Sequence, residues 1–208
     1  MRVTLSSVSK HFGREVVFRD LSHRFETGSR TAILGPNGSG KSTLLQLIAG
    51  ASIPTAGDIV HHLHERTIDA EEVYRHVSIA APYLNLYEDL SLEETIRTHA
   101  RFKPLRMGIG TRQVAAAAYL EEHWTKPVRN FSSGMKQRLK LALAILSDTP
   151  LLLLDEPSSN LDARAVAWFQ HLLGEHLTDR TLVVASNRAA AEVQLCTAAV
   201  DLDLAGQA

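Results

Sequence analysis

Residues 35–42 read Gly35-Pro36-Asn37-Gly38-Ser39-Gly40-Lys41-Ser42 and match the pattern G-x-x-x-x-G-K-[ST] at every position. The short apolar segment Thr31-Ala32-Ile33-Leu34 precedes this loop, and apolar residues with helical spacing follow it from Lys41 to Gly50. A strand, a glycine-rich loop and a helix therefore succeed one another within about twenty residues. Apolar alternation at residues 3–8 and 21–25 predicts two strands of an antiparallel kind. Further alternation of helices and strands on both sides of a mostly helical stretch, from Ser91 to about Leu146, predicts a parallel α/β core. Within that stretch Ser91 and Glu94 have the spacing of a capping box, and the alanine-rich residues 113–122 favour a helix.

The residue types in this loop suit a nucleoside triphosphate. Glycines let the backbone curl so that successive N–H groups point at phosphate oxygens, and the following helix directs its positive N-terminal end to the same place. Lys41 supplies a positive charge to the β- and γ-phosphates, and the Ser42 hydroxyl can bind Mg²⁺. We therefore predict an ATP site formed by nine consecutive residues: Gly35, Pro36, Asn37, Gly38, Ser39, Gly40, Lys41, Ser42 and Thr43.

Two carboxylates follow four leucines, Leu151 to Leu154, a run typical of a buried strand. Asp155, at the end of the strand, is predicted to hold Mg²⁺ across from Ser42. Glu156 comes one residue later, where it can polarise a water molecule for attack on the γ-phosphate. Alone, the pair is also consistent with an ordinary polar loop after a strand. Combined with the phosphate-binding loop, it predicts an ATPase site.

A second motif occupies residues 130–138, which read Asn130-Phe131-Ser132-Ser133-Gly134-Met135-Lys136-Gln137-Arg138. It resembles the signature L-S-G-G-Q of the ATP-binding-cassette (ABC) ATPases, with Phe131 to Met135 in the five places. Ser132, Ser133 and Gly134 would open a helix whose hydroxyl and N–H groups can bind another γ-phosphate. The alternative is a serine that only caps a helix.

Three further segments follow the order of the ABC family. Phe12 matches the aromatic residue that stacks on adenine, Ser159-Asn160-Leu161-Asp162 matches the loop that crosses the dimer interface, and Ser186-Asn187 lies where the switch loop follows a strand. The resemblance implies one domain, residues 1–208, with a P-loop NTPase core and parallel sheet. It also implies a small N-terminal antiparallel β subdomain and a helical subdomain inserted at about residues 82–147.

The family resemblance further implies that two such domains pack head to tail. Each ATP then lies between the phosphate loop of one chain and the signature of the other, and hydrolysis releases the pair. The partners expected from this resemblance are a second ABC ATPase domain, most simply a homodimer, and a separate multi-pass transmembrane permease subunit. In transporters of the family, the surface that matches residues 83–89 receives a short cytosolic helix from the membrane subunit.

Two positions near the predicted catalytic centre depart from the family pattern. Asn187 stands in place of the switch histidine, and its amide can hydrogen-bond a phosphate oxygen but cannot carry a positive charge. Pro82 stands in place of a glutamine and offers no side-chain ligand to Mg²⁺ or water, with Asn85 as a candidate stand-in.

The signature departs as well, because Ser133 replaces a glycine and Met135 replaces the glutamine. Lys41, Asp155 and Glu156 all remain in place. The predicted catalytic residues are Lys41, Glu156 and Asn187. We therefore favour a working but slow ATPase. The alternative is a lineage variant whose geometry compensates for the substitutions.

Composition and charge exclude several other classes of protein. The 208 residues carry a net charge of −1, so no global basic field attracts nucleic acid and no nucleic-acid partner is predicted. The sequence shows no apolar stretch near the roughly 18–20 residues that span a bilayer. The segment Met1-Arg2-Val3-Thr4 lacks the charged and apolar regions of a signal peptide, so we expect none. We therefore expect a cytoplasmic domain, peripheral on the inner face of the cell membrane.

The leading functional interpretation is the ATP-hydrolysing subunit of an ABC transporter, with Mg²⁺ and ATP as cofactors. The alternatives are a soluble ABC ATPase not tied to transport, and an ATP-dependent clamp that rarely hydrolyses its nucleotide. The histidines His61, His62 and His64 are more typical of a solvated strand edge or turn than of a metal cluster. Trp124 and Trp168 are predicted to be packing residues.

Overall fold

The computed structural model describes residues 1–202, which form nine strands and six α-helices in that range. In chain order the strands are β1 Arg2–Phe12, β2 Glu15–Phe25, β3 Arg30–Leu34, β4 Ala56–Leu63, β5 Arg66–Ile68, β6 Val77–Ala80, β7 Leu151–Asp155, β8 Thr181–Ser186 and β9 Ala198–Asp201. The helices are α1 Lys41–Ile48, α2 Leu92–Phe102, α3 Thr111–Ala117, α4 Ser133–Leu146, α5 Ala163–Glu175 and α6 Ala190–Val193. Short 3₁₀ turns occupy Val73–His76, Glu121–His123 and Val128–Asn130.

A parallel sheet with the strand order β6-β7-β8-β3-β9 forms the centre of the fold. Every residue of β7 and β8 is buried, because helices cover both faces of such a sheet. This explains why Leu151 to Leu154 is a continuous apolar run without alternation. The carboxyl ends of these parallel strands lie at one edge of the sheet, and the loops that follow β3, β6, β7 and β8 begin there.

A second sheet is antiparallel and has the order β2-β1-β4-β5. Apolar side chains of α1 pack with residues of both sheets in one core cluster, among them Leu44, Phe25 and Leu153. The predicted α/β class, with a parallel core and a small antiparallel β subdomain, is confirmed. The sequence placed strands at residues 3–8 and 21–25, and the two strands are longer than that.

His61 contradicts the prediction of a solvated histidine edge. It lies within β4 and is buried, and its Nε2 is 2.8 Å from the carbonyl oxygen of Ile48 at the end of α1. Burial lowers the pKa of the imidazole, so the ring is neutral at physiological pH. His61 is therefore a core residue. Within residues 1–202, no three His, Cys, Asp or Glu side chains are grouped so as to hold a metal ion.

The chain between β6 and β7 is mostly helical and contains α2, α3 and α4. Ser91 and Glu94 form the predicted capping box at the start of α2. The long alanine-rich helix expected near residues 113–122 ends at Ala117, because Tyr119 adopts a left-handed backbone with φ 57°. Trp124 and Trp168 are buried in the core cluster of this region, as predicted.

The limits of the inserted helical subdomain, residues 82–147, stay a prediction. The predicted single domain extends to residue 208, and residues 203–208 lie outside the described part of the chain. Within residues 1–202, every helix is too short or too polar to traverse a lipid bilayer.

Candidate active site

The predicted phosphate-binding loop connects β3 to α1. Gly40 forms the N-cap of α1 with φ 93°, a left-handed conformation that favours glycine. A Cβ atom at this position would lie 2.5 Å from Cγ1 of Val17, so the contact with β2 also requires glycine. Because glycine supplies no capping side chain, the first N–H groups of α1 are left for an anion.

Lys41 lies across the loop that it follows and is only 4% exposed. Its Nζ donates hydrogen bonds to the carbonyl oxygens of Gly35 and Pro36, both at 2.9 Å. Both acceptors are neutral, so the bonds hold the ammonium group in place without neutralising its charge. The structure thus fixes a positive charge inside the loop.

Asp155 ends β7 at the same edge of the sheet. It is 1% exposed, and neither of its carboxylate oxygens has a hydrogen-bond partner within residues 1–202. Burial raises the pKa of this carboxyl, and the charges of Glu156 and Glu192 raise it further. The Ser42 hydroxyl and the Lys41 charge both lower the pKa of Asp155 and so oppose this shift. The hydroxyl makes no hydrogen bond of normal geometry to the carboxylate.

An unpartnered buried carboxylate destabilises a protein unless it is paired or binds a cation. Asp155 and Ser42 together present carboxylate and hydroxyl oxygens, which are ligands that Mg²⁺ prefers. The donor set therefore fits the predicted metal ion. Both residues also lie beside the loop that fixes Lys41.

Glu156 forms the first residue of the turn after β7. Its backbone is left-handed with φ 42°, which is unusual for a residue other than glycine, and its N–H donates to the carbonyl oxygen of Ala185 in β8 at 2.9 Å. The carbonyl oxygen of Glu156 accepts a hydrogen bond from the N–H of Ser159 at 3.0 Å. The turn directs the chain out of the sheet, and the Glu156 side chain is half-buried.

The hairpin of β1 and β2 packs on the phosphate-binding loop, as the close approach of Val17 to Gly40 shows. Phe12 is the last residue of β1 and is paired with Glu15. Its ring is 54% exposed, and the ammonium nitrogen of Lys10 lies 5.0 Å from the ring centroid. An exposed aromatic ring on this hairpin can stack on a nucleobase.

The signature opens α4, as predicted. Ser132 is the N-cap, and its hydroxyl oxygen accepts a hydrogen bond from the N–H of Met135 at 3.2 Å. Gly134 packs closely on the next loop, because an added Cβ would lie 3.3 Å from the carbonyl oxygen of Asn160. Ser132 and Gly134 line a hollow of about 590 Å³, which also includes Arg138, Asn160, Asp162 and Arg164 and none of residues 35–43. The two predicted phosphate sites are therefore separate surfaces of one chain.

A family model described as ABC transporter matches residues 18–159. The chain belongs to the ABC transporter family. Members of this family hydrolyse ATP, and the chain is an ATP-binding ATPase domain of that family. The Nod factor export ATP-binding protein I of Cupriavidus pinatubonensis is 35% identical over 179 residues, which make up 83% of this chain and 53% of that protein. The cytochrome c biogenesis ATP-binding export protein CcmA of Rhizobium meliloti is 32% identical over 193 residues, or 89% of this chain and 90% of that protein.

The chain spans about half the length of several curated relatives that it matches. A solved structure of the ATP binding subunit of an ABC transporter superposes with a TM-score of 0.82 at 24% identity, over 97% of this chain and 85% of that one. A bacterial Atm1-family ABC exporter with ATP bound gives a TM-score of 0.81 at 23% identity, over 97% of this chain and 37% of that one. These likenesses confirm the predicted P-loop fold.

Pro82 and Asn187, the two residues of this ABC ATPase domain that depart from the family pattern near the predicted catalytic centre, are both exposed. Both lie at the edge of the sheet where the parallel strands have their carboxyl ends. Asn187 follows β8 two residues after Ala185, which pairs with Asp155. Pro82 follows β6 two residues after Ala80. Asn85, the candidate stand-in for the missing glutamine, lines an apolar groove that includes none of residues 35–43. Its proposed role stays a prediction.

Tyr83 and Gln46 are site residues that the sequence reasoning missed. Burial raises the pKa of the Tyr83 hydroxyl to about 12, and the charge of Asp155 acts in the same direction, while Gln46 opposes it through a side-chain interaction. Gln46 lies one helical turn after Ser42, on the same face of α1. The i, i+4 spacing from Ser42 was the sequence signal that could have identified it.

Glu192 is a third acidic residue of the site and was also missed. It is 4% exposed, and its Oε1 accepts hydrogen bonds from the N–H and the hydroxyl of Ser158, at 3.0 and 2.5 Å. Glu192 lies in the short helix α6, five residues after Asn187. Only the tertiary fold brings it beside the turn that follows β7, so the local pattern carried no signal.

Proposed function

We propose that the chain is the ATP-hydrolysing subunit of an ABC exporter and that it powers a separate permease through ATP-dependent dimerisation. One observation carries the proposal: Lys41 is fixed in the loop beside a buried carboxylate, Asp155, whose oxygens have no partner within residues 1–202. Two relatives support export, because the Nod factor export protein and CcmA are both named as ATP-binding proteins of export systems. The domain would lie on the cytoplasmic face of the membrane.

The loop residues and Lys41 would bind and orient the triphosphate. Asp155 and Ser42 would hold Mg²⁺, which supplies positive charge to the β- and γ-phosphates when it is bound. Glu156 would accept a proton from the attacking water as the oxygen approaches the γ-phosphorus, and the β–γ bridge oxygen would leave with ADP. Asn187 would hydrogen-bond the γ-phosphate without adding a charge.

A second copy of the domain would complete each ATP site. The hollow beside Ser132 and Gly134 does not include the phosphate-binding loop of the same chain, which supports contact with a nucleotide held by another chain. Asn160 packs against Gly134, so the loop at residues 159–162 and the signature would face the second copy together. We propose a head-to-tail homodimer.

The permease would dock in an apolar groove of about 560 Å³ between the end of α1, β6 and α2. Three residues of the predicted docking surface at 83–89 line this groove: Asn85, Leu86 and Tyr87. Tyr87 and Phe102 on its walls are largely exposed. Apolar grooves with exposed aromatic rims are typical receptors for an amphipathic helix.

The test compares purified parent protein with Glu156→Gln and Lys41→Ala. We expect Glu156→Gln to bind ATP, to lose at least about 99% of its turnover and to accumulate as a dimer, because the amide cannot accept the proton. Lys41→Ala should lose both ATP binding and the dimer. Nucleotide affinity, phosphate release and size-exclusion chromatography with ATP and Mg²⁺ measure these outcomes. Parent-level turnover in Glu156→Gln would exclude Glu156 as the base.

An ATP-dependent clamp with very slow hydrolysis is the second candidate, and the uncharged, exposed Asn187 favours it. The two candidates differ in the rate of the parent protein. A dimer that forms with ATP but releases phosphate more slowly than about once per hour, also with permease present, would favour the clamp.

A further inference from the structure

The turn that carries Glu156 needs support from the rest of the fold. Glu156 has φ 42°, and left-handed backbone at residues other than glycine persists only where surrounding contacts impose it. A general base must also be held within a fraction of an ångström of its working position. The contacts that impose this conformation therefore bear directly on catalysis.

Three contacts from outside the turn hold it. The first joins the backbone N–H of Glu156 to Ala185 of β8. The second comes from the signature helix α4, where the buried amide of Gln137 donates through Nε2 to the carbonyl oxygen of Pro157 at 3.0 Å. The third comes from α6, where Glu192 accepts both hydrogen bonds of Ser158.

Glu192 is an unusual residue for a purely structural role. It is 4% exposed, and its Oε2 has no hydrogen-bond partner in the described range 1–202. A buried carboxylate with one unpartnered oxygen destabilises a fold relative to a neutral side chain of similar size. Its charge also acts on Asp155, which places it within electrostatic reach of the metal-binding acid.

We propose that Glu192 is a positioning residue for Glu156, which it holds in place by fixing Ser158 from the helix that follows the switch loop. The inference rests on the proposed function, since it takes Glu156 as the base. Because α6 begins three residues after Asn187, this carboxylate links the chain that follows the switch loop to the catalytic turn, in addition to the backbone bond from Glu156 to Ala185 before that loop. A displacement of the switch loop would therefore reach Glu156 through Glu192 and Ser158.

The experiment measures kcat, KM, ATP affinity and thermal unfolding for Glu192→Ala, Glu192→Gln and Ser158→Ala. We expect Glu192→Ala to lower kcat at least about tenfold and to change KM and ATP affinity less than about twofold, because the loop and Lys41 stay intact. Glu192→Gln should keep kcat within about threefold, since the amide oxygen accepts the same two bonds. Ser158→Ala keeps the N–H bond and should lower kcat about threefold.

Gln194→Ala is the matched control, because this residue is exposed and lies two positions after Glu192. It should behave as the parent does. Losses in kcat and ATP affinity of equal size in Glu192→Ala, without rescue in Glu192→Gln, would overturn the proposal in favour of a general structural role. If Glu192→Ala fails to fold, unchanged kcat in Ser158→Ala overturns it instead.

Glu156→Gln, measured beside these variants, separates this inference from the proposed function. Full turnover in Glu156→Gln overturns the assignment of the base and the positioning role with it. Lost turnover in Glu156→Gln, together with unchanged kcat in both Glu192→Ala and Ser158→Ala, overturns the positioning role alone.

Discussion

Two helix N-termini in this chain are predicted to bind phosphate, and they are built differently. α1 begins at Gly40, which has no side chain to cap the helix, and Lys41 is fixed by two carbonyl oxygens. α4 begins at Ser132, whose hydroxyl already accepts a hydrogen bond from the N–H of Met135. The first helix leaves its N-terminal donors to a ligand, whereas the second satisfies one of them itself.

The difference shows how one chain can carry half of each of two ATP sites. Under the proposed function, the α1 terminus would bind phosphate within a single chain, and its buried neighbour Asp155, whose oxygens have no hydrogen-bond partner in the described residues, would gain a partner when Mg²⁺ binds. The α4 terminus is stable without a ligand because its own serine caps it. Under the proposed function, it would contribute only when a second copy brings a nucleotide.

Replacing Gly40 and Gly134 by alanine should distinguish the two helix N-termini most clearly. Gly40→Ala places a Cβ 2.5 Å from Val17 in a left-handed backbone, whereas Gly134→Ala meets only the carbonyl oxygen of Asn160 at 3.3 Å. We expect Gly40→Ala to lose at least about 100-fold in ATP affinity, because the loop must rearrange. Gly134→Ala should keep the affinity of the single chain and lower turnover. Titration with a fluorescent ATP analogue measures both, and equal affinities would remove the distinction between the two termini.

Ser132 offers a substitution that separates helix capping from phosphate binding. Ser132→Ala loses the cap, so we expect about 1 kcal/mol less stability and a Tm lower by about 2–4 °C. Ser132→Asp keeps the cap and the Tm, but its charge would repel a γ-phosphate and lower turnover about 100-fold. Calorimetry and phosphate release measure the two effects.

Ser133→Ala is the control for the stability effect alone, because Ser133 lies one residue inside the helix and is not its cap, so the Tm should stay at the parent value. Parent-level turnover in Ser132→Asp would show that the signature does not meet a phosphate group. The helix cap would then be the whole role of Ser132.

The sequence predicted those parts of the molecule that local patterns determine. The phosphate-binding loop, the buried strand at Leu151 to Leu154 and the capping box at Ser91 each depend on residues within a few positions of one another. The signature shows the limit of such patterns. The two interpretations of Ser132, helix cap and phosphate ligand, are compatible, and the structure confirms the cap while the ligand role stays a prediction.

The missed features all depend on contacts between distant segments. His61 is buried because β4 passes the end of α1, which no pattern near residue 61 indicates. Glu192 meets Ser158 across 34 residues of sequence, and Tyr83 comes near Asp155 only through the pairing of β6 with β7. An exposed glutamate and a buried one look alike in a sequence, so the contact of Glu192 with the catalytic turn could not be predicted.

Asp155→Asn should sharpen the comparison, because it removes the free-energy cost of burying an ionised carboxylate beside the N-terminus of α1. The folded protein raises the pKa of Asp155, so protonation stabilises the fold and this contribution is lost as the pH rises through the folded pKa. We expect Asp155→Asn to raise the Tm of nucleotide-free protein by about 2–4 °C at neutral pH and to abolish magnesium-dependent turnover.

The gain in Tm should shrink as the pH falls through the raised pKa of Asp155, because the parent carboxyl then also becomes neutral. Thermal unfolding at several pH values, without Mg²⁺, measures this dependence. Asp148→Asn is a control at an exposed acid before the same strand and should leave the Tm unchanged. A lower Tm in Asp155→Asn would show that Asp155 is satisfied in the free protein.

The smallest effect on turnover is expected for a substitution at Asn187, the residue in place of the switch histidine. Asn187 is exposed, so Asn187→His has room for an imidazole ring. The ring would add partial positive charge near the γ-phosphate, and we expect kcat to stay within about threefold of the parent or to rise. Because the imidazole is protonated at lower pH, any gain should be larger at about pH 6 than at about pH 8.

Steady-state kinetics at the two pH values measure this outcome, with Asn187→Ala as the variant that lacks both the amide and the charge. Asn187→Ala should lower kcat more than Asn187→His does, since it leaves the phosphate oxygen without a side-chain donor. A large loss in Asn187→His would mean that the amide is a specific adaptation of this chain. The exposed switch loop would then have to hold Asn187 in one geometry that only an amide fits when ATP is bound.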